Sequence, residues 1–195
     1  MNLIIWFTLW FVVWIGYNLM VKKWSISKDR LTTHKLIYFA LPTLTASLLF
    51  QTQLTQNLDY LILGFLVTSV ISQLVYAEKI LRGRIGNGKN FIYSLPTNIL
   101  FQQTMFVSAI YLSLNFSINI SSDLAVGLIG ALAHLPILML KWAKLRYLYL
   151  FLIFVGCSYF SYIVKNYPYG ILMAFLTHYL AYIGFMMHLK NDEYL

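Results

Sequence analysis

Seven apolar runs, separated by short polar stretches, constrain this chain more than any other feature. They cover residues 3–20, 36–54, 60–77, 98–116, 124–140, 147–164 and 169–189. Each is 17 to 21 residues long, and an α-helix needs about 20 apolar residues to cross a bilayer. Helices suit lipid because they satisfy their own backbone N–H and C=O groups. Soluble domains carry about 25% charged residues; this chain carries 10%, with 60% hydrophobic residues and a mean hydropathy of +0.71. At 195 residues a soluble fold has too little interior to hide that much apolar surface. The expected fold class is therefore all-α, a polytopic transmembrane bundle of about seven spans forming one domain over 1–195.

The charges test this count. Lys and Arg number 14 and Asp and Glu 6, a balance that could suggest nucleic acid, but their placement argues against it. Lys22, Lys23, Lys28, Arg30 and Lys35 lie between the first two runs. Lys79, Arg82, Arg84 and Lys89 follow the third, Lys141, Lys144 and Arg146 follow the fifth, and Lys190 follows the seventh. The intervening loops hold only Lys165. Alternate loops are basic, as for spans whose basic flanks face the cytoplasm and contact anionic headgroups. This places the N-terminus outside and the C-terminus inside, in a cell membrane. The first run lacks the basic start and small-residue site of a cleaved signal and reads as the first span.

Single residues refine the picture. The lone cysteine, Cys157, lies mid-span and reads as a small packing residue. Trp6, Trp10 and Trp14 recur every four residues and form one helical stripe, read as packing or lipid-facing. Pro42 is expected to kink the second helix and Pro96 to start the fourth, where a missing N–H costs little. The segment 83–89, Gly-Arg-Ile-Gly-Asn-Gly-Lys, lacks the Walker spacing and a preceding strand, so it reads as a basic loop.

Ionisable groups inside a membrane cost at least ~2.5–3.5 kcal/mol at a helix centre and so point to function. Glu78 and Arg82, at i and i+4 on one helical face, close the third run. His134 lies in the inner half of the fifth and His178 near the middle of the seventh. Asp59 at the outer edge reads as solvated, and His34 and His188 as interfacial. Runs three, five and seven point the same way, which sets Glu78, His134 and His178 at comparable depths. At 1.5 Å per residue, Glu78 falls roughly 10–15 Å nearer the cytoplasm than His178, a gap that tilt or a broken helix has to close.

These residues spell three ordered motifs: Ala77-Glu78-Lys79-Ile80-Leu81-Arg82-Gly83, Gly130-Ala131-Leu132-Ala133-His134, and His178-Tyr179-Leu180-Ala181-Tyr182. Over about residues 70–190 the set resembles the CPBP (Abi) family of CAAX prenyl endopeptidases and bacteriocin-processing or immunity proteins. That family has Glu-Glu-x-x-x-Arg-Gly, Phe-x-x-x-His and His-x-x-x-Asn/Asp in separate transmembrane helices. The resemblance implies a metal-free glutamic peptidase without a cofactor. Glu78 and Arg82 would form the carboxylate motif, His134 would orient water, and His178 would stabilise the oxyanion. Three positions depart from the pattern. Ala77 stands where the family has its general-base Glu, Gly130 replaces Phe, and Tyr182 replaces Asn or Asp, its hydroxyl serving in place of the amide. For Ala77 three readings stay open: an inactivating substitution, Glu78 acting as the base, or a non-catalytic relative.

Three functions follow as expectations. The first is an intramembrane endopeptidase of a bacterial cell membrane that cleaves a membrane-associated peptide or lipidated protein near the cytoplasmic leaflet. The second is a non-catalytic immunity or scaffold protein. The third, a transporter subunit with a proton relay, predicts paired half-repeats, and the sequence has none. Glu plus two His also suits zinc, although no His-Glu-x-x-His pair is present. The expected partners are membrane lipids and the peptide substrate, with no nucleic acid.

Overall fold

The computed structural model describes residues 2–24, 28–77, 94–114, 121–135 and 146–188. They form eight helices: α1 Asn2–Trp24, α2 Lys28–Leu49, α3 Gln51–Leu54, α4 Leu58–Ala77, α5 Leu95–Ser113, α6 Ser122–Ala133, α7 Arg146–Asn166 and α8 Gly170–His188. Described residues of all seven apolar runs fall in helices, and the chain is all-α as expected. The single turn α3 lies at the end of the second run, where a continuous span to 54 was expected. Phe50 breaks the helix before it, and Phe50 and Leu54 are both buried.

The fifth run differs most. Its helix ends at Ala133 with His134 as the C-cap, so His134 sits at a helix terminus, not within a span reaching 140. Pro136, two residues on, explains the stop. It has no N–H to donate to the Leu132 carbonyl, and its ring disfavours helical geometry in the residue before it. Residues 136–140 lie outside the described residues.

Local chemistry accounts for the other boundaries. Ser121 caps α6, its hydroxyl accepting from the Leu124 N–H at 3.3 Å. Pro96 falls in the first turn of α5. Pro42 lies inside α2, where it removes the donor to the Tyr38 carbonyl, and nearby hydroxyls bond back to the backbone. Thr43 Oγ1 donates to the Phe39 carbonyl at 2.6 Å and Ser47 Oγ to the Thr43 carbonyl at 2.8 Å.

Helix α5 is the centre, packing against each of the other seven described helices. It is buried on nearly every side, including Ile99, Phe101, Met105 and Val107, as expected of a helix that is apolar all round. Small residues set how closely its neighbours approach. A Cβ on Gly127 would meet the Phe154 carbonyl at 2.7 Å, and one on Gly130 would meet Cys157 Sγ at 2.5 Å, so α6 and α7 lie backbone to backbone. A Cβ on Gly64 of α4 would touch the Phe175 ring of α8 at 2.7 Å. Helices α4 and α8 are parallel: Tyr60 meets Tyr169 edge to face, and further along both helices Ser72 Oγ lies 2.5 Å from Tyr179 Oη.

The outer faces are apolar. Leu41, Leu44 and Leu48 on α2, Leu66, Val70 and Leu74 on α4, and Phe151, Leu152 and Val155 on α7 are exposed. Among the described residues one helix, Tyr147–Asn166, is long and apolar enough to cross a membrane. Leu3–Gly16, Leu58–Leu74, Ser122–Ala133 and Gly170–Gly184 are shorter apolar stretches.

Candidate active site

Helix α6 brings His134 to its own C-terminal end, against α1. His134 Nδ1 is 2.8 Å from the Gly130 carbonyl oxygen. A carbonyl only accepts, so Nδ1 carries the hydrogen, and in the neutral ring the lone pair is on Nε2. The imidazole packs against two members of the tryptophan stripe, with ring centroids 5.1 Å from Trp10 and 5.9 Å from Trp14. Trp10 Nε1–H donates to the Ala133 carbonyl at 2.9 Å, and Trp6 Nε1–H to the Met105 carbonyl at 2.7 Å. The stripe is thus a packing surface, as expected, but it also walls His134.

His178 has the opposite arrangement. Its Nδ1 is 2.9 Å from Nε2 of Gln103, an amide nitrogen that also lies 3.4 Å from the Ala174 carbonyl. An amide NH2 group only donates, so Nδ1 of His178 accepts and the ring hydrogen of the neutral form is on Nε2. Phe160 and Tyr182 flank the ring at 5.7 and 5.2 Å. Tyr182 Oη accepts from Gln102 Nε2 at 2.8 Å, and the same nitrogen donates to Asn98 Oδ1 at 2.8 Å.

Two of the expected site residues are therefore brought towards one interior region. Trp10, which packs on His134, also stacks on Phe101 of α5 with ring centroids 5.6 Å apart, and the next two residues of α5, Gln102 and Gln103, reach Tyr182 and His178; Tyr182 stands one turn beyond His178. Glu78 and Arg82 lie outside the described residues. Ala77 is the last described residue of α4, five residues and about 7.5 Å of helix beyond Ser72. Because Ser72 pairs with Tyr179, the run of α4 towards Ala77 parallels the run of α8 from Tyr179 past Tyr182. Among the described residues no three His, Cys, Asp or Glu side chains gather as a metal would require.

Asn98, Gln102 and Gln103 are functional-site residues outside the sequence motifs, and the sequence does carry a signal for them. Three amides fall within six residues of an apolar run, and Asn98 and Gln102 are spaced i, i+4 on one face. Gln103 is 0% exposed, and a fully buried amide needs partners. Gly130 is sterically required where it stands, since a side chain there would run into Cys157.

Chemically, the site offers a ring nitrogen that accepts a proton, a ring nitrogen that donates one, and a phenol held by two amides. The chain matches no protein-family model, and neither a curated protein nor a solved structure is similar enough to count as a relative.

Proposed function

We propose that this protein is a polytopic membrane protein of about seven spans that works as a metal-independent intramembrane endopeptidase. Its substrate is a membrane-associated peptide or lipidated protein. The membrane reading is supported by the exposed leucines, valines and phenylalanines around a centre that holds the amides and histidines, an arrangement that water would disfavour and lipid would not. The basic helix ends then face the cytoplasm and the loops near Thr55 and Ser121 face outward.

The observation that carries the catalytic reading is the opposed hydrogen bonding of the two histidines, which leaves a lone pair on His134 Nε2 and a hydrogen on His178 Nε2. Peptide hydrolysis needs both functions. A base takes a proton from water as the oxygen attacks the scissile carbonyl carbon, and a donor holds the oxyanion. With Ala at position 77, Glu78 or His134 Nε2 is the base; His178 Nε2–H and the Tyr182 hydroxyl face the oxyanion. The proton then passes to the leaving amine as the C–N bond breaks. Arg82 would hold the carboxylate motif in place. One observation favours a second reading: Ala77 occupies the position of the motif's general base, as in a non-catalytic immunity or scaffold protein.

The test is cleavage of membrane-anchored peptide libraries by the purified protein in lipid nanodiscs, read by mass spectrometry. The protein is compared with its Ala77→Glu, His134→Ala and His178→Ala variants. The endopeptidase reading expects cleavage that rises with Ala77→Glu, falls at least about 10²-fold in either histidine variant, and survives chelators. Cleavage equal in all four proteins, or none in any, would leave the non-catalytic reading.

A further inference from the structure

Helix α2 carries a lysine on the side that packs against its neighbours. Lys35 is 4% exposed, and it shares that side with the buried Thr43, Ala46 and Phe50, while Ile37, Leu41, Leu44 and Leu48 lie exposed on the opposite one. A lysine near the end of a span ordinarily runs its ammonium out to water; this one is turned in between helices. Among the described residues no carboxylate pairs with it and no hydrogen bond reaches it, the one ion pair being that of Lys165 with Asp123. Contacts on the two neighbouring helices fix its level. Trp6 Nε1–H donates to the Met105 carbonyl, and Trp10 stacks on Phe101 at 5.6 Å. Helix α1 therefore runs against α5, and one turn further on Trp14 comes level with Thr97. Phe39 packs on Phe101 at 6.3 Å, and beyond the end of α2 Asn57 Nδ2 donates to Tyr111 Oη at 3.0 Å. Helix α2 therefore runs with α5, and Lys35, one turn before Phe39, comes level with Thr97 and Asn98. The rings of Trp10, Phe101 and Phe39 form the next layer and close this one on the side of the bundle centre. The remaining direction is towards the starts of α2 and α5, the end that adjoins the basic loops of the sequence.

An ammonium taken out of water without a counter-charge is costly. The sequence around Lys35 offers little to offset it: residues 22–35 hold five Lys or Arg and one acidic residue, Asp29. The excess calls for an anion from outside the chain. In the proposed topology this end of the bundle lies among the headgroups of the cytoplasmic leaflet, where anionic lipids gather and basic pockets between helices bind them. A lysine ammonium is a compact point charge that suits a phosphate. We propose that Lys35 holds a phosphate group at the cytoplasmic end of α1, α2 and α5, that of an anionic phospholipid headgroup seated between these helices. The headgroup neutralises the buried cation and ties α2 to α1 and α5 at the level of Trp14, the residue that walls His134. The inference rests on the membrane half of the proposed function and not on peptide cleavage.

The experiment places the full chain in nanodiscs of dioleoylphosphatidylcholine, with or without dioleoylphosphatidylglycerol, and follows acetylation of each lysine by mass spectrometry. Phosphatidylglycerol is expected to slow acetylation of Lys35 at least about tenfold relative to Lys141 and Lys165, the effect of one charge-assisted hydrogen bond. In detergent, native mass spectrometry is expected to show phosphatidylglycerol retained by the unaltered protein and by Lys35→Arg, and retained at least about tenfold less by Lys35→Met. Equal retention by Lys35→Met would overturn the proposal. Inorganic phosphate added in place of the lipid is expected to protect no lysine; protection of Lys35 by it alone would make the ligand a soluble phosphate and overturn the lipid assignment. Where Lys35→Met does not fold, acetylation of the unaltered protein decides the matter. Slowing confined to Lys35 supports the site, and no slowing, or slowing shared by all three lysines, excludes it. A chain that enters nanodiscs but shows no preference for phosphatidylglycerol sinks this inference alone, whereas a chain that does not enter them removes the membrane reading with it.

Discussion

Gln103 Nε2 lies 2.9 Å from Nδ1 of His178, joining the central helix to the helix that carries the third motif. The contact does two things. It satisfies one hydrogen of a fully buried amide, and it decides which nitrogen of the imidazole can donate. Gln103→Leu removes the donor and leaves a ring nitrogen unpaired, a loss of about 1–3 kcal/mol. At roughly 2–4 °C per kcal/mol for a chain of this size, calorimetry in detergent should register it. Gln103→Glu separates stability from chemistry. Its carboxylate accepts where the amide donated, so His178 turns its hydrogen to Nδ1 and no longer offers it from Nε2. Under the proposed function, turnover in Gln103→Glu falls by about 10²-fold, the usual effect of losing an oxyanion donor. Undiminished turnover would mean that the tautomer of His178 does not matter.

Trp10 closes the other half of the site. Its indole N–H donates to the Ala133 carbonyl, one of the four that a helix end leaves without an intrahelical partner, and its ring packs on His134. Trp10→Phe keeps much of the packing and loses the hydrogen bond. The expected cost is about 1–2 kcal/mol, that of a buried acceptor left unpaired. Cleavage, where measurable, should fall as well, because the end of α6 that positions His134 is no longer held to α1. A variant as stable as the unaltered protein would show that the Ala133 carbonyl finds another donor.

The helices were legible in the sequence because their signal is length and apolarity, which need no tertiary information. Helix α4 was expected at 60–77 and runs Leu58–Ala77, and the seventh run appears as Gly170–His188. The helix of the fifth run ends at Ala133 and not at 140, and the local signal for that end is Pro136, which cannot continue a helix. His134 consequently moved from mid-span to a helix end, where Trp10 and Trp14 can reach it. The amides of α5 are harder to read from the sequence, for a different reason. Asn98, Gln102 and Gln103 carry no charge, and the α8 partners of Gln102 and Gln103 are 71 to 80 residues away along the chain, so only the packing of α5 against α8 reveals their role. The need for glycine at position 130, set by Cys157 on the next helix, is equally non-local.

That last contact makes a prediction. Gly130→Ala places a methyl group 2.5 Å from Cys157 Sγ, inside van der Waals contact, and the close approach of α6 to α7 leaves little room to relax. Overpacking of this kind costs about 1–3 kcal/mol. The sulfur is the nearest obstacle, so adding Cys157→Ala should restore part of the lost stability, while Cys157→Ala alone changes it little. Additive losses in the double variant would show that the backbone of α7, and not the thiol, sets the limit.

Lys165 is the one basic residue in the otherwise neutral loops of the sequence, and it is paired: its Nζ lies 2.5 Å from Asp123 Oδ1 and 2.5 Å from Ser122 Oγ. Both partners are about a quarter exposed, 22% and 26%, so the pair should contribute no more than about 1 kcal/mol. Lys165→Ala is then expected to shift the unfolding temperature by less than about 4 °C. Its sharper consequence concerns orientation. In the sequence one lysine in these loops stands against thirteen Lys and Arg residues in the alternate ones, and under the proposed topology basic residues in short loops set which end stays in the cytoplasm. In a Cys157→Ala background, a cysteine at Thr55 should react with a membrane-impermeant maleimide added to intact cells. A cysteine at Asn87 should react only after the membrane is opened, and Lys165→Ala should leave both results unchanged. Labelling of both sites in intact cells would break the alternation of basic and neutral loops on which the seven-span topology stands.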